Sequence, residues 1–176
     1  FYGDGFIESL KTSVQLVEQT QQAIIFGYKV SAPQDYGVVE FDKANNVVSI
    51  EEKPTDPKSR FAVVGLYFYP NSAIELAKSV QPSARGELEI TSVNSAFLEA
   101  NNLKVELLGR GFAWLDTGTH DNLIEAGQFV QTIERRQGHK IACLEEIAYR
   151  NKWISAGDVL ALAGTLAKSG YGNYLL

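Results

Sequence analysis

Two short segments of the chain carry charged side chains at points where apolar runs end, and a third charged segment lies between them. Glu52 and Lys53 close the first run, and Arg85 lies in the segment between the two. Asp116 closes the second run, two residues after Trp114. Open α/β sheets bind ligands in that position, outside the carboxyl ends of their strands. A lysine, an arginine, carboxylates and a tryptophan collected there would suit a phosphorylated sugar held beside a metal ion.

Lys53 and Arg85 are the candidate phosphate ligands. Proline disfavours helical backbone in the residue before it, so Pro54 predicts an extended Lys53. The backbone would then set the direction of the Lys53 ammonium. Arg85 comes shortly before a helix predicted to begin near Ile90. Helix N-termini bind anions, and arginine adds a bidentate fork for phosphate. The alternative for each cation is an ordinary place on the solvated surface or in a loop.

Asp116 is the candidate metal ligand. Mg²⁺ is usually bound by one or two carboxylates together with phosphate oxygens. The alternative is that Asp116 caps the helix that follows, although Thr119 is better placed for that role. Tyr36 and Gly37 begin a predicted strand, and their hydroxyl and amide groups could bind a sugar hydroxyl.

The composition of the 176 residues is that of a globular protein, with 45% apolar residues, 21% charged residues and a net charge of −5. No basic run stands out, which argues against a nucleic-acid partner. No apolar run approaches the ~18 residues of a membrane span. Cys143 is the single cysteine, so an intrachain disulfide framework is excluded and a small buried side chain is expected. A cytoplasmic location fits this composition.

Hydrophobic periodicity predicts strands first, then alternating helices and strands, then a helical tail. The expected strands cover residues 23–30, 36–41, 47–51, 61–69, 104–108 and 111–116. The expected helices cover residues 7–22, a stretch after 71, 90–101, 119–138, 143–150 and a last one that starts at Ser155 and is ended by Gly170. The fold class is therefore α/β, a mixed sheet covered by helices. We divide it into a sheet domain, residues 1–118, and a C-terminal helical subdomain, residues 119–176.

Taken in order, six segments of the chain resemble bacterial glucose-1-phosphate thymidylyltransferases. These segments are residues 36–39 (YGVV), 51–54 (EEKP), 65–69 (GLYFY), 84–91 (ARGELEIT), 109–120 (GRGFAWLDTGTH) and 145–150 (EEIAYR). The resemblance covers essentially the whole chain. It implies the Rossmann-like fold of nucleotide-diphospho-sugar transferases. It also implies a Mg²⁺-dependent reaction in which dTTP and glucose 1-phosphate give dTDP-glucose and pyrophosphate, within the dTDP-rhamnose and polysaccharide pathways.

The resemblance also assigns site residues. Lys53, Arg85 and Asp116 are the catalytic set: the two cations hold the phosphate of glucose 1-phosphate, and Asp116 is one of two metal-binding aspartates. The remaining substrate-binding residues surround or border the sugar, and they are Tyr36, Gly37, Glu52, Val63, Glu87 and Trp114.

A second, regulatory site for a feedback-inhibiting dTDP-sugar is implied in the same way. Its matching positions are Tyr2, Gly3, Gly109, Arg110, Glu146, Ile147 and Arg150. The family often has Gly-His-Asp where this chain has Gly3-Asp4-Gly5, and usually has Asp where this chain has Ser92. The family is typically tetrameric, so a homo-oligomer is expected.

The chain also lacks the glycine-rich triphosphate loop and the base-reading residues with which the family begins. We therefore expect these 176 residues to correspond to the C-terminal part of such an enzyme and to be inactive alone. Two alternatives remain open at this point. One is another sugar-1-phosphate nucleotidyltransferase, dependent on UTP, and the other is a non-catalytic domain that binds sugar phosphate or mediates assembly.

Overall fold

A computed structural model describes residues 1–3 and 5–176 of the chain. The structure divides into two compact units, Phe1–Trp114 and Leu115–Leu176. The division follows Trp114, whereas the sequence placed the domain boundary after residue 118.

The first unit contains seven strands and three α-helices among its described residues. In chain order these are β1 (Tyr2–Gly3), α1 (Phe6–Thr20), β2 (Ala23–Lys29), β3 (Gly37–Phe41), β4 (Val47–Glu52), β5 (Phe61–Phe68), α2 (Ala73–Ser79), α3 (Ile90–Glu99), β6 (Leu103–Leu108) and β7 (Phe112–Ala113). A short 3₁₀ turn, Pro33–Asp35, precedes β3. The strand expected over 111–116 is only two residues long, so that prediction was too long.

Five strands form a mixed sheet in the order β4-β3-β5-β2-β6. β2 runs parallel to β6, with Ala23 opposite Leu103, and the other neighbours are antiparallel. β1 and β7 form a separate antiparallel pair. Helix α1 contacts β2 and β5, while α3 contacts β4 and β6. The predicted α/β class, a mixed sheet covered by helices, is confirmed.

The core of this unit lies on both faces of β2. Side chains of successive strand residues point to opposite faces. Ile24 and Phe26 accordingly join Val17 of α1 in one apolar cluster, whereas Ile25 joins Val39 in another. Because both faces are covered, β2 is apolar almost throughout rather than alternating.

The second unit contains four helices, α4 (His120–Gln137), α5 (Leu144–Arg150), α6 (Ala156–Thr165) and α7 (Gly170–Leu175). The Thr119 side chain accepts a hydrogen bond from Asn122 N–H at 3.1 Å, and Gly138 ends α4 with a φ of 72°. Ser155 and Asp158 form a capping box at the start of α6. Both helix starts and the end of α4 were predicted from these local signals.

One prediction in this unit is wrong. Gly170 does not end the helix that starts after Ser155; α6 ends at Thr165, and Gly170 begins α7. Ser169 caps the new helix because its hydroxyl oxygen accepts from Gly172 N–H at 3.0 Å. None of the described helices is both long enough and apolar enough to cross a membrane.

Candidate functional site

Strand pairing brings together the residues predicted at the ends of β3 and β4. Gly37 lies opposite Glu52 in the ladder, and Lys53 N–H donates to the Tyr36 carbonyl at 3.0 Å. Val63, on the neighbouring β5, has its Cβ 3.8 Å from the position that a Cβ of residue 37 would take. Five of the predicted sugar-site residues therefore meet at one end of the sheet.

Gly37 has no side chain, and the Glu52 carboxylate and the Thr91 hydroxyl lie beside the space where a Cβ atom would be. A Cβ atom at this position would lie 3.1 Å from Glu52 Oε2 and 3.2 Å from Thr91 Oγ1. Thr91 Oγ1 donates a hydrogen bond to Glu52 Oε2. Thr91 is buried on α3, so the hydrogen bond holds Glu52 against a rigid element. No role was predicted for Thr91, since 39 residues separate it from Glu52 in the sequence.

Lys53 has left-handed backbone, with a φ of 44°, so the expectation of an extended Lys53 is wrong. Proline after it excludes the right-handed helical region, but the turn leaving β4 takes Lys53 to positive φ rather than to extended backbone. Positive φ is unfavourable for a lysine and persists only where the surroundings hold it. Here the hydrogen bond to Tyr36 and the buried Pro54 do so.

The Lys53 ammonium is exposed, and no carboxylate of the described chain lies within 4.0 Å of it. It is therefore a cation without a protein counter-charge in the described residues, at the end of the sheet where Glu52 and Gly37 meet. Such a group can pair with an anionic ligand without first giving up an ion pair.

Arg85 stands among three carboxylates. Its guanidinium nitrogens lie 3.2 Å from Glu87 Oε2, 3.6 Å from Glu89 Oε1 and 4.0 Å from Glu52 Oε1. The Arg85 side chain is still 40% exposed, so it can reach a ligand as well. The ion pairs bring Arg85 and Glu87 into one cluster with Glu52.

Tyr67 on β5 interacts with the charge of Glu52, and its ring stacks on that of Tyr69, which directly follows β5. Burial raises the pKa of Tyr67, and the negative charge of Glu52 raises it further. Burial likewise raises the pKa of Tyr69, whose hydroxyl donates to Asn94 Oδ1 at 2.5 Å. Both phenols therefore stay protonated at neutral pH, and that of Tyr69 acts as a hydrogen-bond donor.

Trp114 lies beside Tyr36, with ring centroids 5.0 Å apart at an interplanar angle of 63°. It also contacts the ring of Tyr28, whose hydroxyl donates to the Phe112 carbonyl at 3.0 Å. The edge-to-face packing fixes the indole next to the β3 end of the site. An aromatic wall there would suit the apolar face of a sugar ring.

Asp116, in the second unit, has one carboxylate oxygen fixed by N–H donors. Oδ2 accepts from Gly118 N–H at 3.3 Å and from Asn122 Nδ2 at 3.2 Å. Oδ1 accepts no hydrogen bond from the described residues. The half-buried carboxylate is thus oriented by the start of α4 and keeps one oxygen for a ligand. This arrangement fits a single protein ligand to Mg²⁺; no cluster of three or more potential metal ligands occurs within residues 1–3 and 5–176.

The positions assigned to regulation fall in both units. In the first unit, Gly3 pairs with Phe112, and the Phe112 N–H donates to the Gly109 carbonyl at 3.2 Å, so β1 adjoins the turn that carries Arg110. Tyr2 lies beside Gly3 on β1. Asp4, part of the departure Gly3-Asp4-Gly5, lies outside the described residues.

In the second unit, Glu146, Ile147 and Arg150 lie on α5. Arg150 forms an ion pair with Glu146, which also accepts from the Tyr174 hydroxyl at 2.5 Å. Glu146 and Arg150 line a pocket of about 500 Å³ that is bounded by α6 and α7. The pocket combines a charged pair with aliphatic walls.

The sequence profile of the nucleotidyl transferase family matches residues 1–133. The chain belongs to this family. Its members include relatives named glucose-1-phosphate thymidylyltransferase. The relative from Neisseria meningitidis is 56% identical over 176 residues, and that from Mycobacterium tuberculosis is 51% identical over 176 residues. Both matches cover 100% of this chain and 60% of the relative, so the chain spans about three-fifths of the length of these curated relatives.

Solved structures agree with the family. A crystal structure named for a glucose-1-phosphate thymidylyltransferase from Bacillus anthracis, in complex with a sucrose, superposes with a TM-score of 0.58 and 33% identity. The match covers 70% of this chain and 47% of that chain. A UDP-glucose pyrophosphorylase complexed with UDP-glucose gives a TM-score of 0.60 at 22% identity, covering 70% of this chain and 49% of that one. The second likeness is one of fold alone.

Proposed function

We propose that this chain supplies the sugar-phosphate half of an enzyme that makes dTDP-glucose and pyrophosphate from dTTP and glucose 1-phosphate. The observation that carries the proposal is the meeting of Lys53, Arg85, Glu52 and Gly37 at one end of the mixed sheet. The relatives named glucose-1-phosphate thymidylyltransferase, 48–56% identical over 99–100% of this chain, support the same reading.

In the proposed reaction, a phosphate oxygen of glucose 1-phosphate attacks the α-phosphorus of dTTP. The new P–O bond forms as the bond from the α-phosphorus to the bridging oxygen breaks, and pyrophosphate leaves with that electron pair. Such transfers need in-line positioning and neutralised charge more than covalent help from the protein. Lys53 and Arg85 would hold and neutralise the attacking phosphate.

The sugar would lie against Glu52, Gly37 and Val63. The Glu52 carboxylate, fixed by Thr91, can accept a hydrogen bond from a sugar hydroxyl, and the exposed Glu87 could accept another. Trp114 and Tyr36 would border the ring. Asp116 would hold Mg²⁺, which would neutralise phosphate charge when bound.

Regulation and assembly form a further part of the proposal. A dTDP-sugar would act as feedback inhibitor through Tyr2, Gly3, Gly109, Arg110, Glu146, Ile147 and Arg150. Guanidinium groups match the geometry of a pyrophosphate bidentately, which supports Arg110 and Arg150 as its ligands. We further propose a cytoplasmic homo-oligomer, a tetramer, that serves dTDP-rhamnose and polysaccharide synthesis.

The test is an assay of pyrophosphate release by the protein as its cell produces it, with glucose 1-phosphate, Mg²⁺ and either dTTP or UTP. We expect release with dTTP and a much smaller rate with UTP. The reverse preference would favour a UTP-dependent transferase. Calorimetric binding of glucose 1-phosphate without release from either nucleotide would favour a non-catalytic binding domain.

The role of Asp116 has its own test. Asp116→Asn should raise the Mg²⁺ concentration needed for half-maximal turnover and lower turnover, while the thermal transition stays unchanged. Asp121→Asn, in the first turn of α4, is the matched control and should leave both unchanged. Wild-type turnover of Asp116→Asn at saturating Mg²⁺ would mean that Asp116 serves only the start of α4.

A further inference from the structure

The loop that carries Arg85 is closed by the backbone of Ser83. Ser83 N–H donates to the Glu87 carbonyl at 2.8 Å, and the Ser83 carbonyl accepts from Gly86 N–H at 2.8 Å. Gly86 has a φ of 78°, in the left-handed region that glycine adopts without strain. The chain therefore makes a tight loop between α2 and α3, and Arg85 lies at its tip.

The Ser83 hydroxyl binds two further groups of the same loop. Its oxygen accepts from Arg85 N–H at 3.2 Å, and its O–H donates to Glu89 Oε1 at 3.0 Å. A hydroxyl can donate and accept at once, so both bonds can form together. Ser83 thus fixes the backbone of Arg85 from one side and the carboxylate of Glu89 from the other.

Glu89 links the serine to the guanidinium. The oxygen that accepts from Ser83, Oε1, is also the one 3.6 Å from the Arg85 guanidinium. The Glu89 side chain is only 12% exposed, so its carboxylate has little freedom to follow a moving arginine. Ser83 and Glu89 also line, with Glu52 and Thr91, one cavity of about 430 Å³ between β4 and α3.

We propose that Ser83 is a positioning residue for Arg85 in sugar-phosphate transfer, an inference that rests on the function proposed above. Arginine on an open loop has many rotamers, and a ligand that must order it binds more weakly. Ser83 restricts Arg85 before the ligand arrives, through the peptide N–H and through the counter-ion. The residue does not itself contact the reacting atoms.

The experiment measures steady-state kinetics of Ser83→Ala in the protein as its cell produces it. Removing the hydroxyl should lower kcat/KM for glucose 1-phosphate about tenfold to a hundredfold, the scale of a small misplacement of a catalytic group. The KM for the nucleotide should stay within twofold of the wild-type value. Ser79→Ala is the control, because among the described residues the Ser79 hydroxyl bonds only the Leu76 carbonyl at the end of α2. It should leave both parameters unchanged.

A second pair of variants separates the hydroxyl from packing. The variants are Ser83→Thr and Ser83→Val. Threonine and valine side chains have the same shape, but only threonine keeps the hydroxyl. Ser83→Thr should therefore recover most of kcat/KM, and Ser83→Val should not. Equal activity of the two, or equal losses for sugar phosphate and nucleotide, would overturn the proposal. An inactive wild-type protein would instead refute the proposed function, which makes the two failures distinguishable.

Discussion

The central strand β2 of the first unit is buried from Ala23 to Gly27, whereas none of the 18 described residues of α4 in the second unit is buried. The two units therefore hold their elements by different means. The sheet unit relies on apolar side chains brought together from distant parts of the chain. The helical unit relies to a greater extent on short-range hydrogen bonds at helix ends, such as those of Thr119 and Ser155.

The comparison is tested most severely by removing one large side chain from each unit. Phe26 is fully buried, so Phe26→Ala should lower the free energy of unfolding by about 3–5 kcal/mol through lost burial and the cavity left behind. Leu123 on α4 is 56% exposed, and Leu123→Ala should change the free energy of unfolding by no more than about 0.5 kcal/mol. Urea unfolding followed by circular dichroism measures both. Equal losses would show that α4 depends on burial as β2 does.

A second prediction concerns the cation at the sheet end. Lys53→Ala should reduce kcat/KM for glucose 1-phosphate about 10²- to 10³-fold, the usual loss for one electrostatic stabiliser. Lys29→Ala removes another exposed lysine at a strand end and should have little effect. A change of less than threefold in Lys53→Ala, measured by steady-state kinetics, would remove Lys53 from the phosphate site.

The helical unit should respond most clearly to loss of a cap. Ser155→Ala removes the hydroxyl that accepts from Asp158 N–H and donates to Asp158 Oδ2, while the Ser155 N–H keeps its bond to that carboxylate. The loss should cost about 1 kcal/mol of unfolding free energy. Thr165→Ala is the control, because within the part of the chain that the structure describes the Thr165 hydroxyl bonds only the Leu162 carbonyl of α6. If the two variants unfold at the same urea concentration, the Ser155 hydroxyl does not stabilise α6.

The smallest expected effect depends on pH. The Tyr171 hydroxyl donates to Glu145 and lowers the pKa of that carboxyl from its ordinary value. A group with a lowered folded pKa stabilises the protein above its unfolded pKa, and the contribution is lost as the pH falls through the folded value. The difference in Tm between wild type and Tyr171→Phe should therefore be largest near neutral pH and shrink below about pH 4.5.

The control for this pH dependence is Tyr149→Phe. Tyr149 is half-exposed, and its hydroxyl donates to no carboxylate among the described residues. Its Tm difference from the wild type should be the same at every pH. A Tyr171→Phe difference that is also independent of pH would mean that packing against Cys143, which is buried and 3.2 Å from the Tyr171 hydroxyl, accounts for the whole effect.

Local signals explain what the sequence predicted well. Thr119, Gly138 and the Ser155–Asp158 pair act within one helical turn, so residue types alone identify them. The same logic failed at Gly170. Glycine marks helix ends by its freedom at positive φ, but Ser169 supplied a cap that made this glycine the first residue of α7. A serine directly before the glycine was the signal that could have been used.

The charged residues of the candidate site were named from the sequence. The residues that orient those charged side chains were not. Motifs named Lys53, Arg85 and Glu52 because charged groups at strand ends are visible in a sequence. Thr91 and Ser83 are ordinary polar residues whose importance arises from contacts with Glu52 and Glu89. For Thr91, that contact exists only after α3 has packed on β4. The left-handed backbone of Lys53 likewise depends on the Tyr36 carbonyl, which lies directly before β3 and far from Lys53 in sequence.

The parallel pairing of β2 with β6 sets the order in which this protein can mature on the ribosome. Ala23 lies opposite Leu103, eighty residues later in the chain. At about 5–20 residues per second, the synthesis of β6 follows that of β2 by roughly 4–16 s. During that interval β2, which is buried from Ala23 to Gly27 in the folded unit, has an unpaired edge that can pair with strands of other chains. The helices of the second unit, built from local contacts, have no such waiting time.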